Sequence, residues 1–151
     1  MLPTPTKYTL ITGSGRGRTR LNAFDRALMA AGIGNLNLIK VSSILPPGTE
    51  FADRLAIPPG SLTPIAYGAM ISDQAEELIA ASVGVGVGEH YGMIMEYSSK
   101  CSREEAEATV RSMVEEAFRD RGLELRLIRS AAVERRVEDT SCVFAGAVLW
   151  Y

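Results

Sequence analysis

The sequence predicts an α+β protein, a layered αββα-type sandwich with mixed or antiparallel sheets and two main helices. Apolar residues recur at helical spacing in only two stretches, and several runs rich in β-branched and aromatic residues surround them. Prolines and glycines cluster at the breaks between those runs. With 151 residues, 46% of them hydrophobic, the chain can bury a core without disulfides or metal clips, so one domain over residues 1–151 is expected.

The first strand is expected at Lys7 to Thr12, entering a glycine loop at Gly13-Ser14-Gly15-Arg16-Gly17. A helix follows, with Asn22 as a candidate cap, Leu21, Phe24, Ala27, Leu28 and Ala31 as its apolar positions, and Gly32 and Gly34 as its stop. Asp25 and Leu28, three apart, share one face of it. Leu36 to Val41 reads as a second strand running into Ser42-Ser43, after which Pro46-Pro47-Gly48 and Pro58-Pro59-Gly60 impose turns. In the strand expected over Leu62 to Ile71, Pro64 suggests an edge or a strand start.

Leu78 to Gly88 alternates larger residues with alanine or glycine, as a strand with one face cleared for close packing does. Tyr91 to Tyr97 is another strand. Ser102-Arg103-Glu104-Glu105 is a capping box, followed by the apolar stripe Ala106, Val110, Met113, Val114, Ala117 and Phe118 up to Gly122. Leu123 to Val137 and Cys142 to Tyr151 have strand composition, and the latter is apolar enough for a buried central strand.

Sixteen Lys and Arg against eighteen Asp and Glu leave a formal net charge of -2, which gives no electrostatic reason for a nucleic-acid or anionic-membrane partner. No basic segment followed by an apolar one opens the chain, and no run is long and apolar enough to span a bilayer, so a cytoplasmic protein is expected. Cys101 and Cys142 lack metal or redox spacing and are read as reduced. His90 is the sole histidine, which excludes a multi-histidine metal site, and it reads as a solvated turn residue. The glycine loop lacks Gly-Lys-Ser/Thr and the third glycine of GxGxxG, so nucleotide binding there is a weak alternative.

Three blocks carry a more specific signal: Leu21 to Leu28, Ala31 to Leu38, and Val41-Ser42-Ser43-Ile44-Leu45-Pro46-Pro47. With Pro64-Ile65-Ala66-Tyr67-Gly68, Ile94-Met95-Glu96-Tyr97, Cys101 to Ala106 and the ending Leu149-Trp150-Tyr151, they resemble the pyruvoyl-dependent arginine decarboxylase family over nearly the whole chain. A serine pair alone is a common polar turn and says little. The resemblance implies that the Ser42-Ser43 peptide, held strained, is cut by its own second hydroxyl. This gives a β chain 1–42, and an α chain 43–151 headed by a pyruvoyl group made from Ser43. Such a ketone takes up an amino-acid substrate as a Schiff base and draws off the electrons freed when carbon dioxide leaves.

The resemblance also assigns the remaining roles. Glu96 becomes the proton donor, among apolar neighbours that can raise its pKa; read alone, it is an outward strand carboxylate. Asp25 engages the guanidinium of arginine, a role compatible with helix capping, while Leu28 and Gly34 shape the pocket. Asn37 polarises the Ser42 carbonyl or holds substrate, and alternation along the strand equally allows it to face solvent. A homotrimer with sites between subunits is implied. Lysine, ornithine or histidine as substrate stays open, as does a non-cleaving nucleotide-binding or structural relative.

Overall fold

The computed structural model describes residues 1–151. In chain order the elements are β1 (Lys7–Gly17), α1 (Arg20–Ala30), β2 (Asn37–Lys40), β3 (Ile44–Leu45), β4 (Glu50–Phe51), β5 (Leu62–Ser72), β6 (Leu78–Val87), β7 (Gly92–Ser99), α2 (Arg103–Asp120), β8 (Leu127–Arg136) and β9 (Thr140–Trp150). Five strands form one sheet in the order β2-β5-β9-β1-β4, and four form another in the order β3-β7-β6-β8. The pairings are antiparallel except β1 with β4 and β2 with β5. The fold is the expected α+β sandwich.

Three apolar layers hold it together. Tyr8, Ala66, Val83, Ile94, Val143 and their neighbours fill the space between the sheets. Ala23, Ala27, Ile65 and Phe144 pack under α1, and Met93, Val114, Ala117 and Phe118 under α2. The expected buried central strand is β9, whose interior residues are all buried between β5 and β1.

The glycine loop is a correction. Gly13, Ser14, Gly15, Arg16 and Gly17 continue β1, each paired to β9 in unbroken register from Gly13↔Phe144 to Gly17↔Thr140. Glycine recurs there because α1 presses on that face. A methyl on Gly13 would overlap the Ala27 carbonyl, on Gly15 it would lie 2.6 Å from Arg26 Cβ, and on Gly17 2.7 Å from the Ala23 nitrogen. The segment read as a phosphate cradle is therefore strand.

The helix cap also moves. Thr19, not Asn22, is the N-cap: its Oγ1 accepts from the Asn22 N–H at 3.1 Å and donates to Asn22 Oδ1 at 2.7 Å. Gly32, at φ 83°, turns the chain just after the helix, where a side chain would be strained. For α2 the expectation holds, with Ser102 accepting from the Glu105 N–H. Pro64 lies in the opening segment of β5, before pairing to β9 begins at Ile65, so a strand interior to its sheet tolerates it. The last strand but one starts later than composition suggests, at Leu127.

Candidate active site

Strand β2 ends at Lys40, and the Val41 N–H makes the last tie to the five-stranded sheet, donating to the Ile65 carbonyl at 2.9 Å. Two residues later the Ser43 carbonyl accepts from the Ile94 N–H of β7 at 2.7 Å, and Ile44 then pairs with Met93 in the four-stranded sheet. Ser42-Ser43 is therefore the bridge on which the chain steps from one sheet to the other. Both ends are tied by backbone hydrogen bonds, so the pair is held although it belongs to no strand. Ser42 is exposed and Ser43 half-buried. Strain, expected from sequence, has no backbone signature here: the peptide is trans and neither serine has a positive φ.

Two residues along β7 from Ile94, which anchors the bridge, lies Glu96. On β7 the alternation sends Ile94, Glu96 and Ser98 into the space between the sheets, where Ile94 joins the apolar core and Ser98 Oγ donates to the Ala69 carbonyl of β5 at 3.1 Å. Gly68 of β5 leaves room for the carboxylate: a methyl there would sit 3.2 Å from Glu96 Cβ. Burial pushes the Glu96 pKa up, and the positive charge of Lys40 partly opposes this. Glu96 Oε2 is shielded from solvent and has no hydrogen-bond partner. Buried carboxylate oxygens are ordinarily paired, so an orphan marks a place where another group completes the set. Outward exposure, the alternative open from sequence, does not apply.

The other expected residues lie apart from this cluster within one chain. Asp25 is exposed on α1, and Leu28 is half-buried against the outer face of the five-stranded sheet. Gly34 sits beyond the end of α1, where a side chain would press on Met29, 2.7 Å from its Cγ. Asn37 opens β2, at the end opposite the serines, and its Nδ2 donates to the Gly60 carbonyl at 2.9 Å. No hydrogen bond joins any of the four to Ser43 or Glu96.

Sequence reasoning missed Lys40 and Gly68. Lys40 Nζ lies 4.5 Å above the centre of the Tyr67 ring. Their relation to Glu96 depends on two strands meeting across the sandwich, and no spacing along the chain encodes it.

A cavity of about 430 Å³ lies elsewhere, on the outer face of the five-stranded sheet beside the end of α1, bounded by residues such as Thr9, Ile33, Leu36, Arg54 and Ile57. It contains neither serine nor Glu96. The reactive groupings favour the bridge over this cavity: it combines two serine hydroxyls and a pinned carbonyl, and a desolvated acid lies two residues along β7 from its anchor. The same three features fit a carbonyl group built from residue 43, because the amide oxygen of that residue already has its donor and the acid beside it is unengaged. No helix is long and apolar enough to cross a membrane.

Residues 7–150 match the model of the pyruvoyl-dependent arginine decarboxylase family. A protein of that name from Methanocaldococcus jannaschii is 50% identical over 150 residues, covering 97% of this chain and 91% of the relative. Those from Thermococcus sibiricus and Pyrococcus abyssi are 44% and 42% identical, covering 97% and 98% of this chain and 95% and 96% of theirs. With the match running through both sheets and both helices, the chain belongs to the pyruvoyl-dependent arginine decarboxylases, a family of carboxy-lyases that rely on a covalent pyruvoyl group.

Proposed function

We propose that this chain is a self-processing enzyme that converts L-arginine to agmatine and carbon dioxide with a pyruvoyl group made from Ser43. The observation that carries the reading is Ser42-Ser43, spanning the two sheets with its following carbonyl pinned and a shielded, unpartnered carboxylate alongside.

Processing begins when Ser43 Oγ attacks the Ser42 carbonyl carbon, moving the acyl group from nitrogen to oxygen and leaving an ester. Elimination across Cα–Cβ of Ser43 expels residues 1–42 with Ser42 as a carboxylate. The dehydroalanine left behind adds water and loses ammonia, giving the pyruvoyl ketone at the head of residues 43–151. That ketone supplies the electron sink for loss of carbon dioxide, through a Schiff base with the substrate amine. Glu96, whose carboxyl burial biases toward the protonated form, protonates the carbon left behind. Asp25 accepts the guanidinium, Leu28 and Gly34 bound its pocket, and Asn37 polarises the Ser42 carbonyl or steadies substrate. These four do not join the bridge within one chain, which favours a homotrimer whose sites form between subunits. This reading needs no metal and no nucleic acid, and the reaction suits a cytoplasmic enzyme.

Intact mass on a denatured sample tests processing: two fragments meeting at Ser42/Ser43 are expected, and only full-length chain from Ser43→Ala. Carbon dioxide release is then compared among arginine, lysine, ornithine and histidine. Two fragments from Ser43→Ala would refute the cleavage mechanism, and turnover of another amino acid with arginine inert would replace the substrate.

A further inference from the structure

We infer that Gly68 and Ser98 are positioning residues for Glu96: a hydrogen bond from Ser98 clamps β7 onto the bare backbone of Gly68, and this clamp keeps the acid dry and fixed in direction. The need for a clamp follows from the strand pairing. β5 has β2 beside it only as far as Ile65, and β7 has β3 beside it only at Gly92 and Met93, with the Ile94 N–H tied to Ser43. Beyond those points Tyr67 to Ile71 and Met95 to Ser99 are sheet edges, and both lie on one side of the sandwich, β5 over β7. All of these residues are half-buried, whereas the strands next inward, β9 and β6, are buried almost throughout. Edges with few ties open more readily than the centre of a sheet.

Two contacts hold this edge shut. Ser98 Oγ donates to the Ala69 carbonyl at 3.1 Å, the single hydrogen bond between β5 and β7. Two residues back on the same face of β7, the stem of Glu96 rests on Gly68. A methyl on that glycine would lie 3.2 Å from Glu96 Cβ, 3.5 Å from its Cγ and 3.4 Å from the Tyr97 nitrogen. Ala66 and Met70, the neighbours of Gly68 on this face, carry side chains into the core, so the one bare position falls opposite the acid. The spacing of the two strands therefore sets where the stem sits, and only the carboxyl end can turn. No donor reaches its Oε2. A shift of β7 away from β5 would admit water to the carboxyl group and release its direction, and proton transfer depends on both reach and alignment.

The catalytic use of the clamp rests on the function proposed above; the clamp itself does not, and the experiment reads the two apart. In the Ser43→Ala chain, held at acid pH so that Glu96 is protonated, infrared difference against Glu96→Gln isolates the carbonyl stretch of its acid group. An acid carbonyl without a donor absorbs at the high-frequency end of its range and moves down when water bonds to it. Adding Ser98→Ala should move the band down, Gly68→Ala should do likewise, and Ser98→Thr should leave it in place. In the processed enzyme Ser98→Ala should lower kcat for arginine about 10-fold and Gly68→Ala up to about 10²-fold, with KM unchanged and the rate kept by Ser98→Thr. Ser102→Ala, which removes a capping hydrogen bond of α2 outside the four-stranded sheet, is the control for general loosening and should move neither readout. Ser98→Ala adds no bulk, so it carries the test whether or not Gly68→Ala folds. A band unmoved by Ser98→Ala overturns the clamp, as does an equal response to Ser102→Ala, and a moved band with unchanged kcat overturns its catalytic use. If the band responds and wild-type enzyme releases no carbon dioxide from arginine, the proposed function falls while the clamp stands.

Discussion

Helix α1 lies on β1 over Gly13, Gly15 and Gly17, where added methyls would strike mainly helix backbone. Helix α2 lies on β6 over Gly84 and Gly86, where they would strike the ends of Val110, Val114 and Phe118. Both sheets clear one face with glycine, yet one helix–sheet contact is backbone on backbone and the other is side chains settling into a shaved strand. Backbone cannot rotate out of the way, whereas side chains can, so the two halves should differ in tolerance. The apolar space between the sheets is common to both, and Glu96 is the acid it admits.

The largest effect is expected where the halves meet. Glu96→Gln should lower kcat for arginine by about 10² to 10⁴-fold, the usual contribution of a positioned acid, with processing intact by mass analysis. Its stability should carry an opposite sign. Glu96 binds its proton more tightly in the folded chain than in the unfolded one, because burial raises its pKa. Wild-type stability from this group is therefore full at acid pH and falls as pH rises from the ordinary carboxylate range through the raised folded value. The glutamine variant has no such loss, so thermal melts should show it equal to wild type in acid and more stable above that window.

Next comes the direct contrast of the helices. Gly13→Ala should cost about 3 kcal/mol or more in urea unfolding, since α1 must lift off its sheet. Gly84→Ala, whose methyl would lie 3.1 Å from Val114 Cγ2, should cost about 1 kcal/mol. Equal costs would erase the distinction between the two packings. The caps complete the series at the size expected for Gly84→Ala: Thr19→Ala and Ser102→Ala should each cost about 1 kcal/mol in the same assay.

Much of this was readable beforehand. The α2 cap and stripe, the shaved β6 and the central β9 were all legible because each is a local pattern whose period matches its element. The glycines of β1 were not, because without a partner their alternation looks like a loop, and only β9 on one side and α1 above turn it into strand. The cap at Thr19 was missed for the same reason: with β1 extended to Gly17, the helix starts sooner. At the site, Ser42, Ser43 and Glu96 were named from the resemblance to the family, while Asp25, Leu28, Gly34 and Asn37, named from the same resemblance, remain apart from them in one chain.

By itself, then, the sequence determined the class of fold, its two helices, and which serine and which glutamate to examine, since helical and strand periods and motif order are properties of the chain. Only the tertiary structure decided that Ser42-Ser43 bridges two sheets and that Glu96 is desolvated and unpartnered against Gly68. Desolvation depends on what packs around a group in space, and Gly68 and Glu96 become neighbours only once the sheets have closed on each other.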